Sequence, residues 1–170
     1  TCGSIGALHK GIQIHDEVLR RPHLEKDISL QTAVIHMYAK CGMLDKAREV
    51  LEKLPIRDIV SWSALITGYA DQKQGCKAVE CFERMQCEGI SPNVITFVCI
   101  LRACGSIKCL EKGKQVHESI LNAHVLDMCN LDPGTSDIST SNECIVNKEE
   151  DIVTVGTSLI DMYGKCGAVD

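Results

Sequence analysis

Eleven cysteines and six histidines are the side chains of this 170-residue chain best suited to bind a metal or attack a substrate. Their spacing suits neither task. His117-Glu118 begins a zinc-peptidase signature, but H-E-x-x-H needs a second histidine where the chain has Leu121. No C-x-x-C pair exists on which to found a zinc site. The five-residue spacings of Cys99, Cys104 and Cys109 turn them around a helix instead of lining one face. The zinc deaminase signature, H-x-E combined with P-C-x-x-C, is absent as well. No metal, cofactor or catalytic residue is therefore expected, and the odd number of cysteines reads as reduced, packed thiols. Cys2, Cys41, Cys104 and Cys166 are placed by this reading beside glycines where helices end.

What remains is hydrogen bonding by short polar side chains. Thr32 and Ser63 lie near expected helix starts, where hydroxyls commonly cap amides, and Asp58 and Asn93 are ordinary turn residues. Any further use depends on the elements that carry them.

Those elements repeat. Cys2-Gly3-Ser4-Ile5, Leu8, Lys10-Gly11, Gln13 and His15 return 102 residues later as Cys104-Gly105-Ser106-Ile107, Leu110, Lys112-Gly113, Gln115 and His117. A second phrase, Met37-Tyr38-Ala39-Lys40-Cys41-Gly42, returns after 125 residues as Met162-Tyr163-Gly164-Lys165-Cys166-Gly167. The array thus gains 23 residues between His117 and Met162. Recurrence of His15 and His117 suggests a structural place between helices.

Between Ile59 and Asn93, Trp62, Leu65, Ile66 and Tyr69 mark one helical face, Gly75 breaks the chain, and Ala78, Phe82 and Met85 mark a second. Val34, Met37 and Tyr38, then Leu44, Ala47, Leu51 and Leu54, describe the preceding pair. Phe97, Ile100, Leu101 and Cys104 open the following one, whose second helix is expected over about 110–122. Units of 31, 35 and 36 residues account for the 102-residue shift. The division is 1–27 (partial), 28–58, 59–93, 94–152 with the insertion, and 153–170 (partial).

The stretch from about Val125 to Glu150 is rich in turn residues and reads as an acidic solvated loop. Seven acidic residues against Lys148 alone give segment 125–152 a charge of −6, so the formal −5 of the chain leaves the repeats at +1. Near-neutral repeats cannot bind a partner by bulk electrostatics. No run approaches the roughly 18 apolar residues of a membrane span, and neither a membrane nor a small-molecule substrate is expected as partner. The chain opens in mid-pattern at Thr1, as a piece of a longer protein would.

The unequal lengths, the phrase Met-Tyr-Ala-Lys-Cys-Gly, the run from Val60 to Ile66 and the Lys-Gly-x-Gln-x-His segment resemble pentatricopeptide repeat proteins of the PLS subclass. That resemblance implies an all-α, right-handed superhelical solenoid of helix-turn-helix repeats, with L-, S- and P-type units of 36, 31 and 35 residues. It implies binding of single-stranded organellar RNA, one base per repeat, in mitochondrion or chloroplast. Editing-factor proteins are the implied partners, and the process C-to-U editing or other RNA processing. Any deaminase domain would lie outside this chain, which is a binding module.

In that family the base edge is read by the fifth residue of the first helix with the last residue of the repeat. The carry-over pairs Thr32 with Asp58 and Ser63 with Asn93, implying guanine then adenine, a 5′-GA-3′ step. Ser29, Val60 and Ile95 fall at the positions beside the base, and Ser29 departs from the usual apolar choice. Val98 is a fifth residue that cannot hydrogen-bond, its closing partner being Asp151 or Ile152, and no base is assigned to it. Thr157 is the fifth residue of the last unit, and Asp27 closes the first. The rival reading is a tetratricopeptide-like protein-binding scaffold, whose fixed period of 34 the unequal units do not fit.

Overall fold

The structure, a computed structural model, describes residues 2–21, 27–129 and 149–167. Among them are eight helices and no strand: α1 (Cys2–Leu19), α2 (Ile28–Lys40), α3 (Leu44–Lys53), α4 (Ile59–Asp71), α5 (Gly75–Cys87), α6 (Val94–Ser106), α7 (Leu110–Cys129) and α8 (Glu149–Cys166). The chain is an all-α protein of helical hairpins. It divides into two compact units, Thr1–Ser91 and Pro92–Asp170. No helix among the described residues is long and apolar enough to cross a membrane.

In the first unit α2 pairs with α3, α4 with α5, and α2 also lies against α4. The apolar stripes expected from periodicity form the core. Trp62, Leu65, Ile66 and Tyr69 of α4 are at most 1% exposed, and Val34, Tyr38, Leu44, Ala47, Leu51, Leu54, Ala78, Phe82 and Met85 are buried around them. Ala39 in the last turn of α2 faces Gly68 in the last turn of α4, where a Cβ would come within 2.9 Å of the Ala39 Cβ. The missing side chain lets these parallel helices approach.

On the outer side, Arg48 of α3 bridges Glu52 and Glu80, and Arg84 of α5 reaches Glu52. Arg57 ties Glu88 to the end of α3, while Trp62 Nε1 donates to the other Glu88 oxygen at 3.1 Å.

In the second unit α6 packs on α7 and α8, with Phe97, Ile100, Leu101 and Cys104 buried. Hairpin turns in both units close alike. A left-handed residue lets the next amide reach back to a carbonyl five residues earlier: Met43 to Tyr38 after Gly42, Gln74 to Tyr69 after Lys73, Ile90 to Met85 after Gly89, and Cys109 to Cys104 after Lys108.

The two repeated phrases are the two halves of one helix–helix contact. His15 Nδ1 of α1 and Tyr38 Oη of α2 share a hydrogen bond of 2.9 Å, and a Cβ on Gly11 would come within 2.5 Å of Met37 Sδ. In the second unit His117 Nδ1 of α7 and Tyr163 Oη of α8 share one of 3.0 Å, and Gly113 makes the corresponding room for Met162. The recurrent histidines thus hold the structural place expected of them.

Several expectations need correction. The expected acidic loop falls mostly on 130–148, outside the described residues, but its margins are helical: α7 continues past Asn122 to Cys129, and α8 starts at Glu149. Glu149, Glu150 and Asp151 place negative charge at the positive end of α8, which favours the earlier start. Cys2 opens α1 instead of ending a helix. Among the described residues the thiols of Cys41, Cys76, Cys81, Cys87, Cys99, Cys104, Cys109 and Cys166 are free; Cys81, Cys99 and Cys104 are buried as packing residues, but Cys76 and Cys87 are exposed. Burial pushes the Cys104 thiol up to about 12 and the Cys81 thiol up to about 11, so both stay protonated and inert.

Candidate nucleic-acid interface

The heads of α2, α4 and α6 are built alike. Asp27, Asp58 and Asn93 are their N-caps, each with extended backbone. Asp27 Oδ1 accepts from the Leu30 amide at 3.1 Å, Asp58 Oδ1 from Ser61 at 2.8 Å and Asn93 Oδ1 from Thr96 at 2.9 Å. Each bond satisfies one of the amides that a helix start leaves without an intrahelical partner.

Two residues on, the side chain points to solvent. Ser29 is exposed, and Val60 and Ile95 are 55% and 60% exposed despite being large and apolar. Such residues at the head of a well-packed helix gain nothing from the fold itself.

The fifth residues differ among themselves. Thr32 and Ser63 each lie five residues into their helix, so neither is the cap that its residue type suggested; Asp27 and Asp58 cap instead. The Thr32 hydroxyl is buried with no hydrogen-bond partner. Because α2 and α4 are neighbours, Thr32 and Asp58 stand on adjacent helices of the first unit. Ser63, in the same unit, is 8% exposed. In the second unit Val98 is half-buried, and Thr157 is exposed with its hydroxyl donating to the Val153 carbonyl at 2.7 Å. Asp151 and Ile152 lie inside the first turns of α8 and do not occupy the cap position held by Asp27, Asp58 and Asn93. Neither of these two residues is therefore arranged as a closing residue like the others.

Sequence reasoning missed the third helical residues. Ser61 forms a capping box with Asp58, its Oγ accepting from the Asp58 amide at 3.1 Å and donating to the Asp58 carbonyl at 2.8 Å. Thr96 Oγ1 donates instead to Asn93 Oδ1 at 2.8 Å. The signal was a polar residue followed three later by a hydroxyl, at Asp58-x-x-Ser61 and Asn93-x-x-Thr96.

The heads of these hairpins match known repeat models: residues 57–106 fit the PPR repeat family and residues 32–59 the PPR repeat. A pentatricopeptide repeat-containing protein of Arabidopsis thaliana is 34% identical across 99% of this chain. The chain belongs to the pentatricopeptide repeat family. A second PPR relative from that plant, named as chloroplastic, is 32% identical over 99% of the chain, and one named as mitochondrial is 38% identical over 75% of it. The chain spans 17%, 23% and 14% of the lengths of these three PPR proteins.

Proposed function

We propose that this PPR chain binds single-stranded RNA, one base per repeat, as part of the targeting array of an organellar C-to-U editing or RNA-processing factor of the PLS subclass. The observation that carries the reading is the common design of the α4 and α6 heads. A polar cap uses one oxygen on the helix and keeps its other polar atom, and an exposed apolar residue follows two positions later. Unstacked bases need both features, a hydrogen-bonding edge reader and an apolar surface beside the ring.

Asp58, with a carboxylate oxygen to spare, accepts from the N1–H of guanine. Asn93, whose oxygen is engaged, donates from its amide to N1 of adenine. Thr32 joins Asp58 by turning a hydroxyl that gives up no existing hydrogen bond. The preferred step is 5′-GA-3′. Ser29 lacks the apolar surface of Val60 and Ile95, so the guanine is gripped less firmly. Thr157 and Val98 contribute little discrimination. Chloroplast or mitochondrion is the compartment, as the names of relatives suggest, and editing-factor proteins are the further partners.

A gel-shift series with Thr32→Asn, Asp58 retained, tests this. Preference should move from guanine toward uracil at that base, and an unchanged preference would remove the mechanism.

A further inference from the structure

An asparagine reads a base only as well as its amide is oriented, since exchanging oxygen and nitrogen turns a donor into an acceptor. We propose that Thr96 fixes this orientation and is a specificity-positioning residue for the base at its repeat, a proposal that rests on Asn93 being a base reader. Asn93 Oδ1 accepts two hydrogen bonds from one residue, the Thr96 amide at 2.9 Å and the Thr96 hydroxyl at 2.8 Å. Thr96 is 0% exposed, so water does not compete for that hydroxyl. Both lone pairs of Oδ1 are then engaged and the amide nitrogen is left as the group that faces a ligand.

A donor-only Asn93 fits N1 of adenine or N3 of cytosine and repels the N–H of guanine or uracil. At the neighbouring cap the equivalent hydroxyl is differently employed. Ser61 Oγ bonds the Asp58 backbone amide and carbonyl, and leaves the carboxylate to its single amide contact. A carboxylate needs no such lock, because its two oxygens are equivalent. The third helical residue therefore serves base selection where the cap is an amide and only the helix where the cap is an acid.

The test uses the whole chain and four RNA oligomers that differ only in the base after the guanine, read by fluorescence anisotropy. Thr96→Val keeps the branched shape and the backbone amide but removes the hydroxyl. Its preference for adenine over guanine should fall about fivefold, the worth of one hydrogen bond, and Thr96→Ser should keep the original preference. In the free protein, nitrogen-15 relaxation should show the Asn93 side-chain amide more mobile in Thr96→Val. If that variant does not fold, Thr96→Ala takes its place with the same expectations. Equal affinity of the unaltered chain for all four bases would overturn the base-reading model itself. Adenine preference undiminished in the variant lacking the hydroxyl would overturn the lock alone.

Discussion

An N-cap carboxylate or amide has two polar atoms and its helix uses one, so Asp58 and Asn93 can serve fold and ligand together. The two roles separate by mutation. Asp58→Ala strips the Ser61 amide of its acceptor and should lower stability by about 1 kcal/mol in urea unfolding. Asp58→Asn keeps the cap, should stay within about 0.5 kcal/mol of the parent, and should shift base preference in gel shifts from guanine toward adenine. A variant that loses stability without losing its cap would contradict the geometry at the head of α4. The polar residues themselves were readable from sequence, but which of them caps was not. Thr32 and Ser63 have the right chemistry near a helix start, yet capping is decided by the one residue with extended backbone, and that residue lies five positions earlier in each case. The spacing Asp58-x-x-Ser61 and Asn93-x-x-Thr96 signals a hydroxyl at the cap, but that Ser61 bonds the cap backbone and Thr96 the cap side chain is decided by the folded geometry.

At the scale of helices, the 3.6-residue period made the core legible: every residue of the α4 stripe is buried. A helix end was legible where glycine marks it, as at Gly42, and obscure where lysine takes the left-handed conformation, as at Lys73 with φ 57°. Packing of α4 on α5 imposes that conformation against the preference of the side chain. Lys73→Gly should therefore raise stability by roughly 0.5 kcal/mol, the relieved strain being partly offset by the greater freedom of glycine when unfolded; a lower urea midpoint would refute it. The contact of α1 with α2 carries a pH dependence. Burial lowers the pKa of His15 from its ordinary 6.5, so the unfolded chain takes up a proton more readily than the folded one. The contribution is fully present above about pH 6.5 and is lost as pH falls toward the lower folded value. Glu49 and Glu52, held below their ordinary 4.5 by Lys53 and by Arg84 with Arg48 respectively, act only at more acid pH. Urea midpoints should thus decline between pH 7 and 5, and His15→Asn should flatten that decline.

Across the whole chain, the recurrent contact shows what the 23 surplus residues cost. His15 and Tyr38 are 23 residues apart, His117 and Tyr163 are 46 apart, and the two hydrogen bonds differ by only 0.1 Å, at 2.9 and 3.0 Å. The second contact forms despite twice the chain between its partners. Equivalent positions can nonetheless be differently covered: Ile14 is 60% exposed where its counterpart Val116, packed under α6, is 3% exposed. With Ile160 at 75%, this leaves apolar surface that should make the isolated chain self-associate, seen in light scattering as a mass that rises with concentration. The insertion needs no such cover to be tolerated. Doubling the chain separation of two contact partners costs only about 0.6 kcal/mol more in the flexible-chain limit, because the closure entropy grows with the logarithm of length. Removing residues 126–148 would join Val125 to Glu149, the positions that answer His23 and Leu24 in the first copy, and so restore between His117 and Tyr163 the 23-residue spacing of His15 and Tyr38. The shortened chain should fold with the His117–Tyr163 contact intact and gain about 0.6 kcal/mol, read as a small rise in urea midpoint with its slope nearly unchanged. RNA affinity should be unaltered, since neither Asp58 nor Asn93 lies in the deleted segment. A shortened chain that fails to fold would mean that the insertion itself braces α7 against α8.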